Sequence, residues 1–366
     1  MIQEAVNIRS YRVINRKKTK VVSVGNVLVG GDNPIVVQTM TNTLTSDSKA
    51  TLKQIEDCVK AGAELVRVSV PDVESTFALK EICKFSPVPI IADVHFHYKR
   101  GIEAAENGAK CIRINPGTVG SVERAREIVQ AAKANGCSVR IGVNAGSLED
   151  RLLQKYKSPC PEALVESAMD AVKMLEDLDF NQIKISVKAS DVMLMIRSYE
   201  MMSAQCDYPL HLGVTEAGSF LTGTVKTSMG MGALLMQGIG DTIRVSLSAP
   251  PEEEPKVGFE ILKGLGLRSR GITVIACPSC ARQQFDVIKT VAEVEKRLAY
   301  ITKPLTLSIL GCVVNGIGEA QHTQIGVTGA GSGMHLIYRN GEPFTKAKTE
   351  DLIDEICKIA EEESKK

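Results

Sequence analysis

The sequence predicts an α/β protein, a (β/α)8 TIM barrel followed by a smaller α/β domain. Three observations carry that reading. From about residue 35 to 268, short β-branched runs alternate with amphipathic helical stretches at intervals of roughly 20 to 40 residues, the signature of a βα repeat. The runs number eight, the count that closes a barrel. After residue 268 the pattern changes to closely spaced strands and a hairpin. A chain of 366 residues also exceeds what one hydrophobic core usually organises, which places the barrel in 1–268 and a second domain in 269–366.

The elements follow in order. VVSVGNVLVGG (21–31) reads as a small hairpin that could plug the barrel bottom. The eight strands are PIVVQTM (34–40), ELVRVSV (64–70), VPIIADV (88–94), CIRINPG (111–117), SVRIGVN (138–144), QIKISVK (182–188), PLHLGVT (209–215) and DTIRVSL (241–247). Ala61-Gly62, Asn107-Gly108 and Asn135-Gly136 mark helix ends, where Gly takes the left-handed cap before the next strand. The second domain reads as ITVIAC (272–277), a helix over 284–300, TLSILGC (306–312), IGVT (325–328), the hairpin HLIYRNGEPFTKA (335–347) and a charged helix from Thr349. Among the glycine-rich pieces, MGMG (229–232) is expected to open a helix, and GAGSG (329–333) to form a loop. The methionines of 193–202 are expected in the core.

Composition bounds the function. Forty-four Lys and Arg against forty-three Asp and Glu leave a net charge of +1, so no global field drives the chain onto nucleic acid or a membrane surface. Any anion site must be local. Apolar runs are strand-sized, far short of the roughly 20 residues of a membrane helix. The basic segment of Arg9, Arg12, Arg16, Lys17, Lys18 and Lys20 has no apolar region of leader type after it and reads as a solvated arm. Of ten cysteines, Cys58, Cys83, Cys111, Cys137 and Cys357 sit in apolar patterns, as buried thiols of a protein in a reducing cytoplasm do.

The strand ends, where barrel enzymes build their sites, are unusually polar. Arg67 and Ser69, Asp93 and His95, Arg113 and Asn115, Lys184, Ser186 and Lys188, and Arg244 and Ser246 recur at i, i+2. Arg140 and Asn144 share the same parity. Period two puts each set on one face of its strand. A lone Arg or Lys commonly caps a strand at the surface, but six strands doing so together need an anion, because unpaired buried cations are costly. A diphosphate fits best. Asp93, His95 and Glu216 are then candidates for acid–base or hydroxyl-orienting work.

The second constellation is Cys277-Pro-Ser-Cys280 and, with thirty-one residues between Cys280 and Cys312, the segment Gly311-Cys312-Val-Val-Asn315-Gly316-Ile-Gly318-Glu319. CxxC alone is compatible with a redox dithiol or half of a zinc site. A structural zinc usually takes four Cys or His, and His322 is the only such neighbour. Three thiolates suit a [4Fe–4S] cluster with one iron open to substrate. NGIG (315–318) reads equally as a plain turn or as backbone approaching the sulfides. A zinc-stabilised, phospholigand-binding barrel without redox chemistry is the alternative, and so is a pterin- or sugar-phosphate-binding barrel enzyme.

RSRGITVIACPSCARQQFDV, ILGCVVNGIGEA, LHLGVTEAG, IKISVKASD and GDTIRVSL together resemble the bacterial hydroxymethylbutenyl diphosphate synthase family, over nearly the whole chain and in its shorter, two-domain form. The resemblance implies a [4Fe–4S] cluster on Cys277, Cys280 and Cys312, with Glu319 as a displaceable fourth ligand. It implies that Arg67, His95, Arg113, Asn115, Arg140, Asn144, Lys188, Arg244 and Ser246 surround the diphosphate, with the catalytic carboxylates Asp93 and Glu216 near the reacting carbons. It implies reductive ring opening and dehydration of methylerythritol cyclodiphosphate, driven by reduced flavodoxin or ferredoxin. It also implies a homodimer whose active sites are shared between subunits.

Overall fold

A computed structural model describes residues 13–95, 97–116 and 122–366. Arg9 and Arg12 of the basic segment and Gly117 of the fourth barrel segment lie outside the described residues. The chain divides into two compact units, Met1–Arg268 and Ser269–Lys366.

The first unit opens with a hairpin, β1 (Val22–Val24) and β2 (Val27–Val29). Eight parallel strands follow: β3 (Val36–Met40), β4 (Leu65–Ser69), β5 (Ile90–Asp93), β6 (Cys111–Ile114), β7 (Ser138–Asn144), β8 (Ile183–Lys188), β9 (His211–Leu212) and β10 (Thr242–Ile243). The helices between and after them are α1 (Ser48–Lys60), α2 (Val73–Phe85), α3 (Tyr98–Glu106), α4 (Val122–Ala134), α5 (Asp150–Tyr156), α6 (Pro161–Glu176), α7 (Val192–Gln205), α8 (Phe220–Met236) and α9 (Glu253–Gly264). Pairing runs β8-β7-β6-β5-β4-β3-β10-β9. The remaining seam, β8 to β9, closes through one bridge, Ile185 to Leu210, and the Ile185 N–H donates to the Pro209 carbonyl at 2.9 Å. The ladders of β9 and β10 are thus two residues long, shorter than the seven-residue segments that the sequence suggested.

Gly62, Gly108 and Gly136 end their helices with φ of 114°, 101° and 61°. That is the left-handed cap their positions called for. The hairpin packs Val24 and Val29 onto Val36, Leu65, Ile91 and Cys111, which lie at the amino ends of four barrel strands, so it does plug the bottom. The basic segment behind it is not a solvated arm in its described part. Arg16 binds the buried Asp241 carboxylate at 3.2 Å and the Asn33 carbonyl at 2.6 Å, and Lys17 donates to the Cys206 carbonyl at 2.7 Å. A carboxylate buried at the start of β10 needs a cation, and Arg16 is the one in reach.

The second unit is a five-stranded sheet in sequence order: β11 (Ile272–Ala276), β12 (Leu305–Leu310) and β13 (Ile325–Gly329) run parallel, and β14 (Met334–Arg339) and β15 (Glu342–Lys348) add an antiparallel hairpin. Helices α10 (Val287–Leu298) and α12 (Leu352–Ser364) bury Val294, Leu298, Ile356 and Ala360 against it. A short helix, α11 (Val313–Ala320), links β12 to β13.

Two glycine readings are corrected. MGMG does not open a helix, because α8 starts nine residues earlier at Phe220 after Ser219. Its glycines are interior, and Gly230 lets the helix sit against Val214 and Met195. NGIG is not a turn. It lies inside α11, where the Gly316 N–H donates to Cys312 at 3.2 Å, and a Cβ at Gly316 would collide with Thr328 on β13. Of the methionines, Met195 and Met202 are core and Met193 is exposed. No helix among the described residues is long and apolar enough to cross a membrane.

Candidate active site

Strand parity delivers the polar residues to the barrel interior. Asp93, Arg113, Asn115, Arg140, Lys184 and Lys188 are all buried, and neighbours in register bring Asp93 beside Arg113, Arg113 beside Arg140, Arg140 beside Lys184 and Asn144 beside Lys188. Arg113 is the hub. Its Nη1 donates to Asp93 at 3.2 Å and to His95 Nε2 at 2.8 Å, and its Nη2 to the Gly142 carbonyl at 2.9 Å. Arg67 approaches the other Asp93 oxygen at 3.6 Å and donates to the Met40 sulfur at 3.1 Å.

These contacts set protonation states. Burial opposes charge on Asp93, but Arg67 and Arg113 outweigh it and hold its pKa at about 2. Guanidinium nitrogen can only donate, so His95 Nε2 accepts from Arg113 and the ring proton sits on Nδ1. Burial, with Arg113 and Arg67 beside it, lowers the His95 pKa despite Asp93, which agrees with a neutral ring.

The cations outnumber their partners. Arg140 donates through Nη1 to Ser186 at 2.6 Å, while its Nε and Nη2 are buried without a hydrogen-bond partner. Burial first, then Arg67 and Arg113, bring its pKa down to about 9. Lys188 is pushed well below the ordinary lysine range by burial and by Arg140, Arg67 and Arg244. Two glycines make room for this set: a Cβ at Gly142 would run into the Arg113 guanidinium, and one at Gly213 would lie 2.5 Å from the Lys188 ammonium.

The remaining sequence candidates are placed as follows. Asn115 donates to Ser147 at 2.9 Å and Asn144 is half-buried at the end of β7. Arg244 donates to Ser246 at 2.8 Å and pairs side-on with Glu254 of α9. Glu216 is exposed, in left-handed backbone at φ 51°. Reading the sequence missed Glu254, hidden in the run Glu252-Glu253-Glu254 that looks like a solvated helix start. It also missed His211, buried with Nδ1 2.5 Å from Thr242, and Gln38, whose amide is buried without a partner. His211 and Gln38 carry the same inward parity as their neighbours, so the period-two rule could have found them.

In the second unit, β11 and β12 run in parallel register, and Cys277 and Cys312 follow their carboxyl ends. Cys280 is exposed on the next turn, where Ser279 has φ 66°. The Gly311 N–H donates to the Cys277 sulfur at 3.3 Å, and Cys312 caps α11, at the positive end of its dipole. Both features suit thiolate ligands. Glu319 lies seven residues along α11, exposed, on nearly the face of Cys312 but about 10 Å farther along the axis. Among the described residues no three His, Cys, Asp or Glu side chains are grouped to hold a single metal ion.

The family models for the GcpE TIM-barrel domain and the GcpE protein C-terminal domain match residues 19–259 and 273–362. A curated protein of Hyphomonas neptunium, named 4-hydroxy-3-methylbut-2-en-1-yl diphosphate synthase (flavodoxin), is 60% identical over 98% of this chain and 94% of its own length. A protein of the same name from Caulobacter vibrioides is 57% identical over 100% and 95%. The chain belongs to this diphosphate synthase family. Among solved structures, the N-acetylneuraminic acid synthetase of Leptospira borgpetersenii aligns with a TM-score of 0.50 at 12% identity, over 69% of this chain and 91% of that one. That likeness is one of barrel fold alone. The barrel cations belong to the first unit and Cys277, Cys280 and Cys312 to the second.

Lys188 yields a stability prediction. Its folded pKa lies below the ordinary value, so the folded chain binds fewer protons than the unfolded one, and this group makes stability rise with pH up to about 10.5. At neutral pH its burial is a cost. Lys188→Met should therefore stabilise the ligand-free protein by roughly 1–4 kcal/mol and flatten the rise toward alkaline pH. Urea unfolding across pH checks this; an unchanged or lower midpoint would refute it.

Proposed function

We propose that the inner face of the barrel binds the substrate's diphosphate and that Cys277, Cys280, Cys312 and Glu319 hold a [4Fe–4S] cluster. The chain is an oxidoreductase that opens 2-C-methyl-D-erythritol 2,4-cyclodiphosphate and releases 4-hydroxy-3-methylbut-2-enyl diphosphate, a step of the methylerythritol phosphate route to isoprenoids. Two electrons and two protons enter and one water leaves. The observation that carries the binding assignment is the charge imbalance: among the described residues, Arg67, Arg113, Arg140, Lys184, Lys188 and Arg244 have ion pairs only with Asp93 and Glu254, the other buried barrel carboxylate, Asp241, being paired with Arg16. A diphosphate supplies the missing negative charge.

Roles follow from environment. Arg140, Lys188, Arg244 and Ser246 supply donors to the phosphate oxygens, with Arg67, Asn115 and Asn144 around them. Asp93, ionised down to a pH of about 2, has no proton to give and serves to hold Arg67 and Arg113. His95, neutral with its proton on Nδ1, orients substrate hydroxyls. Glu216, carried out of the wall by a left-handed residue, is the carboxylate left to move a proton. When bound, the cluster supplies electrons one at a time and an iron that acts as a Lewis acid. Thiols at separate strand ends suit a four-iron cube better than a zinc ion, whose ligands must converge within about 2.3 Å of one point. The relatives' name favours reduced flavodoxin over ferredoxin as donor.

We further take the protein to act as a homodimer in which each small domain serves its partner's barrel. What supports association is the outer face of α8, where Leu221, Val225, Met229 and Met236 are exposed at helical spacing. A helix apolar all round is ordinarily buried.

Three outcomes are expected. Arg140→Ala should cost roughly ten- to hundredfold in kcat/KM with the cluster's absorption intact, and unchanged kinetics would place the anion elsewhere. Anaerobic purification should return iron and sulfide rather than zinc. In the same assay Glu319→Ala should give a labile cluster and His322→Ala a normal one, whereas the reverse result would reject Glu319 as ligand. Co-expressed Arg113→Ala and Cys312→Ser chains, each inactive alone, should regain about a quarter of wild-type activity if sites are shared across a two-fold dimer. Confirmed heterodimers without activity would exclude sharing.

A further inference from the structure

Glu254 sits in the first turn of α9, just past the loop that follows the eighth barrel strand, and is buried. Its carboxylate takes four donors. Arg244 Nε reaches Oε2 at 3.0 Å and Arg244 Nη2 reaches Oε1 at 2.9 Å. Thr39 Oγ1 donates to Oε2 at 2.7 Å, and the Leu247 N–H to Oε1 at 3.2 Å. Two oxygens with two donors each have no acceptor capacity left. Glu254 therefore has nothing to offer a ligand, and an anionic ligand would repel it.

What it does is fix Arg244. A side-on pair through Nε and Nη2 sets the plane of the guanidinium and leaves Nη1 as its remaining nitrogen. Nη1 donates to the Ser246 hydroxyl at 2.8 Å, so the two groups are presented side by side. The same carboxylate ties together three pieces of chain: β3 through Thr39, the residues after β10 through Leu247, and α9 itself. The Thr39 hydroxyl also lies 3.2 Å from the Pro251 carbonyl, in the loop between Leu247 and Glu254, but its single hydrogen goes to the nearer carboxylate. The loops after the seventh and eighth strands are where barrel enzymes often bind phosphate. Arg244 is half-buried among other cations, and Glu254 is the carboxylate paired with it.

We propose that Glu254 is a positioning residue for diphosphate recognition, locking Arg244 so that its Nη1 and the Ser246 hydroxyl form a preset pair of donors. The inference rests on the reading of the barrel interior as the diphosphate site. Its signature is energetic coupling: Glu254 acts through Arg244, so its removal matters only while Arg244 is present.

The test is a double-mutant cycle in the cluster-loaded enzyme with the cyclodiphosphate as substrate. Glu254→Gln, which keeps the side-chain volume, is expected to raise KM roughly tenfold or more with a smaller change in kcat and an unaltered cluster spectrum. In an Arg244→Ala background the same substitution should add no further loss. Wild-type KM in Glu254→Gln, or losses that add regardless of Arg244, would overturn the inference while a raised KM in Arg244→Ala kept the pocket reading intact. A wild-type KM in Arg244→Ala would overturn both. If Glu254→Gln does not fold, Thr39→Val removes one donor to the carboxylate and replaces it in the cycle: a loss that vanishes without Arg244 supports the inference, and an additive loss rejects it.

Discussion

Positive charge enclosed in a barrel of low polarity is the constraint that the rest of the first unit answers. A guanidinium or ammonium withdrawn from water costs several kcal/mol unless matched, and the interior supplies fewer carboxylates than cations. Every local feature of the site is a response. Asp93 is held ionised by Arg67 and Arg113. Burial, with Arg113 and Arg67 beside it, lowers the His95 pKa. Gly142 and Gly213 give up their side chains so that Arg113 and Lys188 can lie along the wall. The seam beside Gly213 is closed by the bridge of Ile185 to Leu210 and by the Thr215 N–H donating to the Ala189 carbonyl at 3.1 Å.

The bottom of the barrel makes that charge usable. Val36, Leu65, Ile91 and Cys111 form an apolar layer under the polar one, sealed by Val24 and Val29 of the hairpin. Arg16 and Lys17 then fasten the incoming chain across the underside. With solvent kept from below, a counter-ion enters only from the carboxyl ends of the strands, where barrel enzymes bind their substrates.

Much of this was legible in the sequence because strand parity is a strong code. Arg67, Asp93, Arg113, Arg140, Lys184 and Lys188 could be assigned to one face from spacing alone, since a strand has only two faces. The hairpin and the helix-ending glycines were legible for the same reason, each having one physical solution. Glu254 was not, because a run of three glutamates at a helix start is ordinarily solvated, and only the fold reveals that the third meets Arg244 and Thr39. Gly316 and Gly230 were misread because a glycine that admits a neighbouring strand or helix looks in sequence like one that makes a turn. Arg16 was misread because its partner, Asp241, lies 225 residues away.

Three carboxylates show how environment, and not residue type, divides the labour around the site. Asp93 is surrounded by cations and cannot take a proton near neutrality, so its charge is structural and its effect is to aim two arginines. Glu254 has every lone pair occupied, so it too works through a neighbour. Glu216 alone is exposed and lifted from the wall by its left-handed backbone. A proton transferred in the barrel must come from a group that can change its charge without dismantling the cation array. Neither Asp93 nor Glu254 meets that condition, since protonating either would strand an arginine that it holds.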